Sequence, residues 1–154
     1  MRAINHALTG AVIGLAIPTP LLAVPLAFVS HFICDAIPHH GTSNPSDTHV
    51  ASKKFAIELL LDAVACLILV LLLAIVQPTN WLLAAVCAFL AASPDLFTMP
   101  AYIRVRRGGG MKDKQNTYTK FAKAIQWFER PIGAVVEIAW FIATTAILLI
   151  YLTV

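Results

Sequence analysis

The stretch FAIELLLDAVACLILVLLLAIV, residues 55–76, decides the fold of this chain. Its only charged residues are Glu58 and Asp62, which fall in the first two helical turns, and every residue after Asp62 is apolar. A helix needs about 20 apolar residues to cross a bilayer, so the stretch predicts a transmembrane helix. The whole chain is 59% hydrophobic and 12% charged, which is far from the composition of a soluble domain.

Further apolar segments flank this one and are separated by short turns that contain proline or polar residues. The predicted spans are residues 3–17, 21–37, 55–76, 81–97 and 132–153. The turns at 18–20 and 77–80 leave room only for a reversal, so they predict two helical hairpins. The predicted fold class is therefore all-α. We expect one integral membrane domain over residues 1–154, a polytopic bundle of about five transmembrane helices and one interfacial helix.

The charge distribution predicts an orientation. Spans that alternate in direction place the N-terminus and the polar loops 38–54 and 98–131 on one side, together with all 11 Lys and Arg residues. By the positive-inside rule this side is cytoplasmic, which gives a multi-pass cell-membrane protein with its C-terminus outside. The basic residues favour membrane lipids as partners, and no nucleic acid is expected. The sequence leaves the oligomeric state open.

One segment of the second loop has its own periodicity. In TKFAKAIQWFERP, residues 119–131, the apolar residues Phe121, Ile125 and Phe128 follow an i, i+4, i+7 spacing. This pattern predicts an amphipathic helix that lies on the membrane surface. The alternative is an ordinary polar-faced helix packed on the bundle.

Histidines and carboxylates collect at the predicted cytoplasmic ends of the spans. The densest group lies in HFICDAIPHHGTS, residues 31–43, where His31 and Asp35 share one helix face at i, i+4, as Glu58 and Asp62 do. Charged residues inside a membrane cost about 2.5 kcal/mol or more at a helix centre, so their grouping predicts a metal site. The predicted metal ligands are His6, His31, Asp35, His39, His40, Asp62 and Asp95.

The ligand types restrict the metal without fixing it. Imidazole and carboxylate favour zinc, with manganese, iron and magnesium as alternatives, and the number of ligands allows two ions. Only one of His39 and His40 needs to be a ligand.

Three short elements resemble a known family. The run His31-Phe32-Ile33-Cys34-Asp35-Ala36-Ile37-Pro38-His39-His40-Gly41-Thr42, together with Asn5-His6-Ala7 and Ser93-Pro94-Asp95-Leu96, resembles elements of small bacterial membrane proteins described as metal-dependent hydrolases, the LexA-binding inner-membrane family. The His31 and Asp35 pair with its Pro-x-His ending is more distantly similar to the zinc-dependent phospholipase C and single-strand nuclease group. The resemblance covers about the first two thirds of the chain and implies a helical metal-dependent hydrolase. The Pro-Asp element comes later here than in the family, and the family's His-Arg-Gly…Thr-His-Ser stretch is missing.

Two classes of function follow. The first is a membrane-embedded metal-dependent hydrolase that acts on a phosphoester, for example in a lipid headgroup, at the cytoplasmic face, with Glu58 or Glu137 as general base. The second is a non-enzymatic membrane protein, either a metal or proton carrier or a helix bundle locked by a buried polar cluster. The outer halves of the predicted spans are almost purely apolar, which disfavours a carrier because an ion needs a polar route through the bilayer.

Overall fold

The computed structural model describes residues 1–41, 46–110 and 117–153, and all its regular elements over these ranges are helical. In chain order they are α1 (Ala3–Ala16), α2 (Pro20–Ala36), α3 (Asp47–Ala51), α4 (Lys53–Val76), α5 (Trp81–Ala92), a 3₁₀ helix (Ser93–Thr98), α6 (Met99–Arg106), α7 (Thr117–Ile125) and α8 (Gly133–Thr153). The predicted all-α fold class is confirmed for this part of the chain.

Within the described residues, three helical runs are long and apolar enough to cross a membrane, fewer than the five predicted. They are Lys53–Val76, Trp81–Arg106 and Gly133–Thr153. Helices α1 and α2 are apolar but have only 14 and 17 residues. At 1.5 Å per residue they extend about 21 and 26 Å, short of the roughly 30 Å hydrocarbon core. The apolar runs make this a plausible multi-pass membrane protein.

Helix α1 lies at the centre of the bundle, where it packs against α2, α4, α5 and α8. Its Gly10 and Gly14 face the backbone of α5 at Cys87 and Ala84, and a Cβ atom at either glycine would overlap α5 atoms. Small residues spaced four apart allow two helix backbones to approach closely, as in other membrane helix pairs. The buried core accordingly consists of small side chains such as Ala11, together with leucines.

The outer faces of the bundle carry large apolar side chains. Leu21 on α2 and Ile75 on α4 are 83% and 79% exposed, and α5 and α8 present similar residues. Lipid tails are as apolar as leucine, so such faces are stable against a bilayer and unfavourable in water.

The helical run that begins at Trp81 continues through Pro94 to Arg106. The sequence predicts instead that the span ends at residue 97 and that a polar loop begins at residue 98. Pro94 has no amide hydrogen to donate to the carbonyl of Leu90. The hydroxyl of Ser93 donates to that carbonyl instead, at 2.9 Å. The chain therefore tightens into the 3₁₀ helix and then continues as α6 to Arg106.

A short contact closes the polar end of the bundle. The amide of Arg130 donates to the carbonyl of His39 at 3.1 Å, within an isolated parallel bridge between His39 and Glu129. Gly133 lies so close to the backbone of His39 that no Cβ fits there. The segment that follows α2 is thus held against the start of α8.

Candidate metal centre

Two buried histidines face each other where α1 meets α2. The imidazole rings of His6 and His31 stack with their centroids 4.1 Å apart, and the two residues are 0% and 2% exposed. His6 lies on the first turns of the central helix, and His31 lies near the C-terminal end of α2. Both therefore lie at the polar end of the bundle.

The carboxylate of Asp35 joins these rings to two other parts of the chain. Its Oδ1 lies 3.2 Å from Nε2 of His6 and accepts a hydrogen bond from the α-ammonium group of Met1 at 2.6 Å. Its Oδ2 lies 3.4 Å from Nε2 of His31 and accepts from the amide of Gln126 at 3.0 Å. The i, i+4 spacing on α2 brings His31 and Asp35 together, as the helical period requires.

The tautomer of His31 follows from its backbone contact. Its Nδ1 lies 2.9 Å from the carbonyl oxygen of Ala91, which can only accept, so Nδ1 carries a proton. Nε2 is then the nitrogen that faces Asp35 and Asp95. This arrangement is the usual one for a metal-binding histidine, in which a carbonyl fixes the ring and the other nitrogen binds the ion.

His6 lacks such a partner. Both of its ring nitrogens are buried, and neither has a well-directed hydrogen bond to any residue that the structure describes. The nearby Asp35 oxygen lies close to Nε2 but off the direction that a hydrogen bond needs. A buried polar group without a partner costs about 1–3 kcal/mol, so this imidazole is suited to a ligand.

Asp95 completes a group that could hold a metal ion. It lies on the 3₁₀ helix, and its Oδ1 is 3.9 Å from Nε2 of His31. His6, His31 and Asp95 each offer one ligand atom, and these three atoms lie within 4.8 Å of one another. Two imidazoles and a carboxylate are ligand types that zinc binds and that manganese and iron also accept.

Two of the predicted site carboxylates bind the N-terminus of α1. Asp62 accepts from the amides of Ala3 and Ile4 at 2.8 and 3.1 Å, and Glu137 accepts from the amide of Arg2 at 2.9 Å. The first amides of a helix have no partners within the helix, and negative charge is favourable beside them. Asp62 on α4 and Glu137 on α8 therefore cap the central helix from outside.

The other predicted residues lie around this capped end. Glu58 is 3.6 Å from the guanidinium group of Arg2, and His40 lines a cleft of about 320 Å³ together with Arg2 and Glu137. The ring of His39 is buried, and its Nδ1 donates to the carbonyl of Ile37 at 2.9 Å.

The structure brings together His6, His31, Asp35 and Asp95 of the predicted set. In the described ranges, the group with metal-like spacing does not include Asp35, His39, His40 or Asp62. The metal roles of these four, and the catalytic roles of Glu58 and Glu137, stay predictions. Two groups at Asp35 were not anticipated, the Met1 ammonium and Gln126, and nothing in the spacing of the sequence indicates either contact.

No protein-family model, no curated protein and no solved structure matches this chain.

Proposed function

We propose that this chain is a multi-pass membrane protein that hydrolyses a phosphoester with a divalent metal, zinc being the best fit, held by His6, His31 and Asp95 at the cytoplasmic face. The observation that carries the proposal is the buried His6 imidazole without a well-directed hydrogen bond, stacked on His31, whose Nδ1 is already used. A zinc ion at this position would activate a water molecule and polarise the phosphoryl oxygen.

The residues of the chain have distinct tasks in this proposal. Asp35 places one carboxylate oxygen 3.2 Å from Nε2 of His6 and the other 3.4 Å from Nε2 of His31, where its negative charge would favour a cation bound by these nitrogens. The side chain of Asp95 is 40% exposed, against 3% for that of His31, so the site opens on the side of Asp95. A phosphoester, including one in a lipid headgroup, would approach there, with Glu58 or Glu137 as the general base inferred from the sequence.

The membrane topology belongs to the same proposal. We infer that α1 and α2 are shorter spans that cross beside the three long ones, with the N-terminus inside and the C-terminus outside. Bilayers thin locally around short hydrophobic segments at a cost of fractions of a kcal/mol per ångström. The bundle supports this arrangement because α1, the shortest, is covered by its neighbours over most of its length.

A second candidate function rests on the contacts of Asp35. Its carboxylate has an ammonium group, two imidazoles and an amide around it, so the charge of Asp35 is balanced without an ion. Buried polar contacts of this kind can hold helices together in a non-enzymatic membrane protein, although here they leave the ring nitrogens of His6 without a well-directed hydrogen bond. The two functions differ in whether the protein binds a metal.

Metal content after purification separates them. We expect wild-type protein purified in detergent with excess zinc to retain stoichiometric zinc by elemental analysis. His6→Ala and His31→Ala should lose it, whereas His49→Ala, which removes an exposed histidine from α3, should keep it. A wild-type protein without metal would contradict the proposal and favour the structural lock.

Loss of zinc through removal of a ligand must be distinguished from loss of zinc through misfolding of the variant. Zinc at 100 times its dissociation constant stabilises a folded protein by about 2.7 kcal/mol, so zinc should raise the melting temperature of the wild type and of His49→Ala. His6→Ala should melt at one temperature with and without zinc. If the zinc-loaded protein hydrolyses neither phospholipid vesicles nor a soluble phosphodiester, the proposed hydrolase activity is contradicted, whereas the proposed metal site is not.

A further inference from the structure

Helix α7 packs against the part of α2 that carries His31. Phe121, in the middle of α7, packs edge-on against Phe32 of α2 with ring centroids 5.6 Å apart. Phe32 in turn lies against His31, at 5.2 Å. One layer of aromatic side chains therefore separates α7 from the candidate metal centre.

Two hydrogen bonds fasten α7 at its ends. The hydroxyl of Tyr118 donates to the carbonyl of Pro94 at 2.7 Å, directly beside Asp95, and Gln126, just past the C-terminal end of α7, donates to Asp35. Burial, followed by the charges of Asp95 and Asp35, raises the pKa of Tyr118 to about 12, so this donor keeps its proton at neutral pH. The stretch from Tyr118 to Gln126 is thus bonded next to Asp95 at one end and to Asp35 at the other.

The segment that carries α7 also has the side chains of a membrane-surface helix. Phe121 is 50% exposed even with Phe32 beside it, and the following residues Trp127 and Ile132 are 68% and 70% exposed. The same segment carries three basic residues, Lys120, Lys123 and Arg130, and one acidic residue, Glu129. Helices with this combination bind the interface of bilayers that contain anionic lipids.

The site behind α7 needs access. His6, His31 and Asp35 are all 3% exposed or less, so an ion or a phosphoester that enters beside the partly exposed Asp95 does not reach their side chains while α7 is in place. Helix α8 begins at Gly133, soon after Gln126, and α2 ends at Ala36, next to Asp35. In a bilayer, lipid headgroups would therefore surround α7 at the depth of its bonds to Asp35 and Pro94.

We propose that α7 with the residues up to Phe128 is a cover for the site, hinged where Arg130 is bonded to His39, and that an anionic lipid surface draws it away by binding its basic and aromatic side chains. In the closed state the aromatic face of α7 lies on Phe32. In the open state that face enters the lipid interface, and the bonds to Asp35 and Pro94 are released. The role of the opening rests on the proposed function, but the movement itself involves neither metal nor substrate.

Disulfide trapping measures the closed state directly. Phe32→Cys with Phe121→Cys places two thiols across the closed contact, and in every variant the three native cysteines are replaced by alanine. The full chain is placed in vesicles of phosphatidylcholine alone, or of phosphatidylcholine with an equal part of phosphatidylglycerol. We expect the disulfide to form at least fivefold more slowly under mild oxidation in the anionic vesicles, since each lysine near an anionic surface contributes about that factor.

Two controls give the result its meaning. Phe55→Cys with Tyr102→Cys joins α4 to α6, whose rings are 5.9 Å apart, and its rate should be equal in both kinds of vesicle. Lys120→Glu should restore much of the disulfide rate of the α7 pair in anionic vesicles. Lys53→Glu, the same charge change at the exposed start of α4, should leave the slowing intact.

Equal rates for the α7 pair in both kinds of vesicle would overturn the proposal, as would equal slowing of the control pair. If the first pair of variants does not fold, Phe97→Cys with Tyr118→Cys tests the other end of α7, where the rings are 5.2 Å apart. Failure of the metal measurements would leave these rates unchanged, so the two proposals fail separately.

Discussion

Carboxylates at the polar end of this bundle divide into two groups by the partners that they bind. Asp35 and Asp95 face imidazoles, whereas Asp62 and Glu137 face the backbone amides that begin α1. Each pair offsets part of the cost of placing charge near a membrane, the first by contacts with imidazoles and, at Asp35, with the Met1 ammonium group, and the second by hydrogen bonds at a helix N-terminus. The position of the central helix therefore depends on residues from α4 and α8.

Removing the cap at Asp62 should destabilise the protein without removing the metal. Asp62→Ala leaves the amides of Ala3 and Ile4 without their acceptors, which costs about 1–3 kcal/mol. At about 2–4 °C per kcal/mol, thermal unfolding in detergent resolves the change. Glu58→Gln weakens only the contact with the half-exposed Arg2 side chain and should shift the melting temperature far less. Loss of zinc from a folded Asp62→Ala protein would instead show that Asp62 is the metal ligand inferred from the sequence.

Residue spacing predicted that Asp35 lies beside His31, but it could not predict that Asp62 binds the amides of α1. The i, i+4 spacing places His31 and Asp35 on one face, and the structure joins them at 3.4 Å. Glu58 and Asp62 have the same spacing, yet Asp62 binds amides of α1. Spacing specifies which side chains share a face but contains no information on what the neighbouring helix presents to that face.

At the level of elements, the contact between α1 and α5 organises the bundle. Gly10 and Gly14 remove side-chain volume from α1 where α5 crosses it, and alanines on α5 do the same from the other side. The close approach brings the carbonyl of Ala91 to His31 and the 3₁₀ helix to the imidazoles. Packing at the apolar centre thus sets the geometry of the polar end.

Gly10→Ala tests this dependence. Alanine favours a helix by about 1 kcal/mol over glycine, so an isolated α1 would gain stability from the change. In the bundle the new Cβ would overlap the carbonyl of Cys87, which belongs to a helix backbone and cannot rotate away. We expect a net loss of about 1–3 kcal/mol, measured as a lower melting temperature.

Ala16→Val, which adds volume at the exposed C-terminal end of α1, is the matched control and should change the melting temperature little. A Gly10→Ala protein as stable as the wild type would mean that α1 and α5 lie further apart than the structure places them.

Turns between elements were easier to predict than the ends of helices. The reversals near Pro18 and Pro78 lie where the sequence predicts them. The helix through Pro94 continues because Ser93 supplies a replacement hydrogen bond to Leu90, an effect that depends on a side-chain rotamer. Hydropathy predicts the end of this span at residue 97 and does not reveal that the helical run continues to Arg106.

The whole molecule has one polar end and one apolar end. At the apolar end, Ile17 after α1 packs in the same cluster as Leu83 of α5, so the turn that follows α1 lies beside the turn that precedes α5. The charged contacts of the other end join α1 to α2, α4 and α8. A chain with this polarity can cross a membrane while all its charged loops remain on one side.

Cysteine labelling in intact cells tests the orientation of the whole chain. Thr19→Cys and Thr79→Cys, in the two turns of the apolar end, should react with a membrane-impermeant thiol reagent from outside. Lys54→Cys, at the start of α4, should react only after the membrane is permeabilised, because the proposed topology has the basic loops in the cytoplasm. Labelling of Thr79→Cys but not Thr19→Cys would show that α1 and α2 do not cross, and external labelling of Lys54→Cys alone would invert the topology. External labelling of both threonine positions supports five spans, because a short α1 then reaches the outer surface only if the bilayer thins around it.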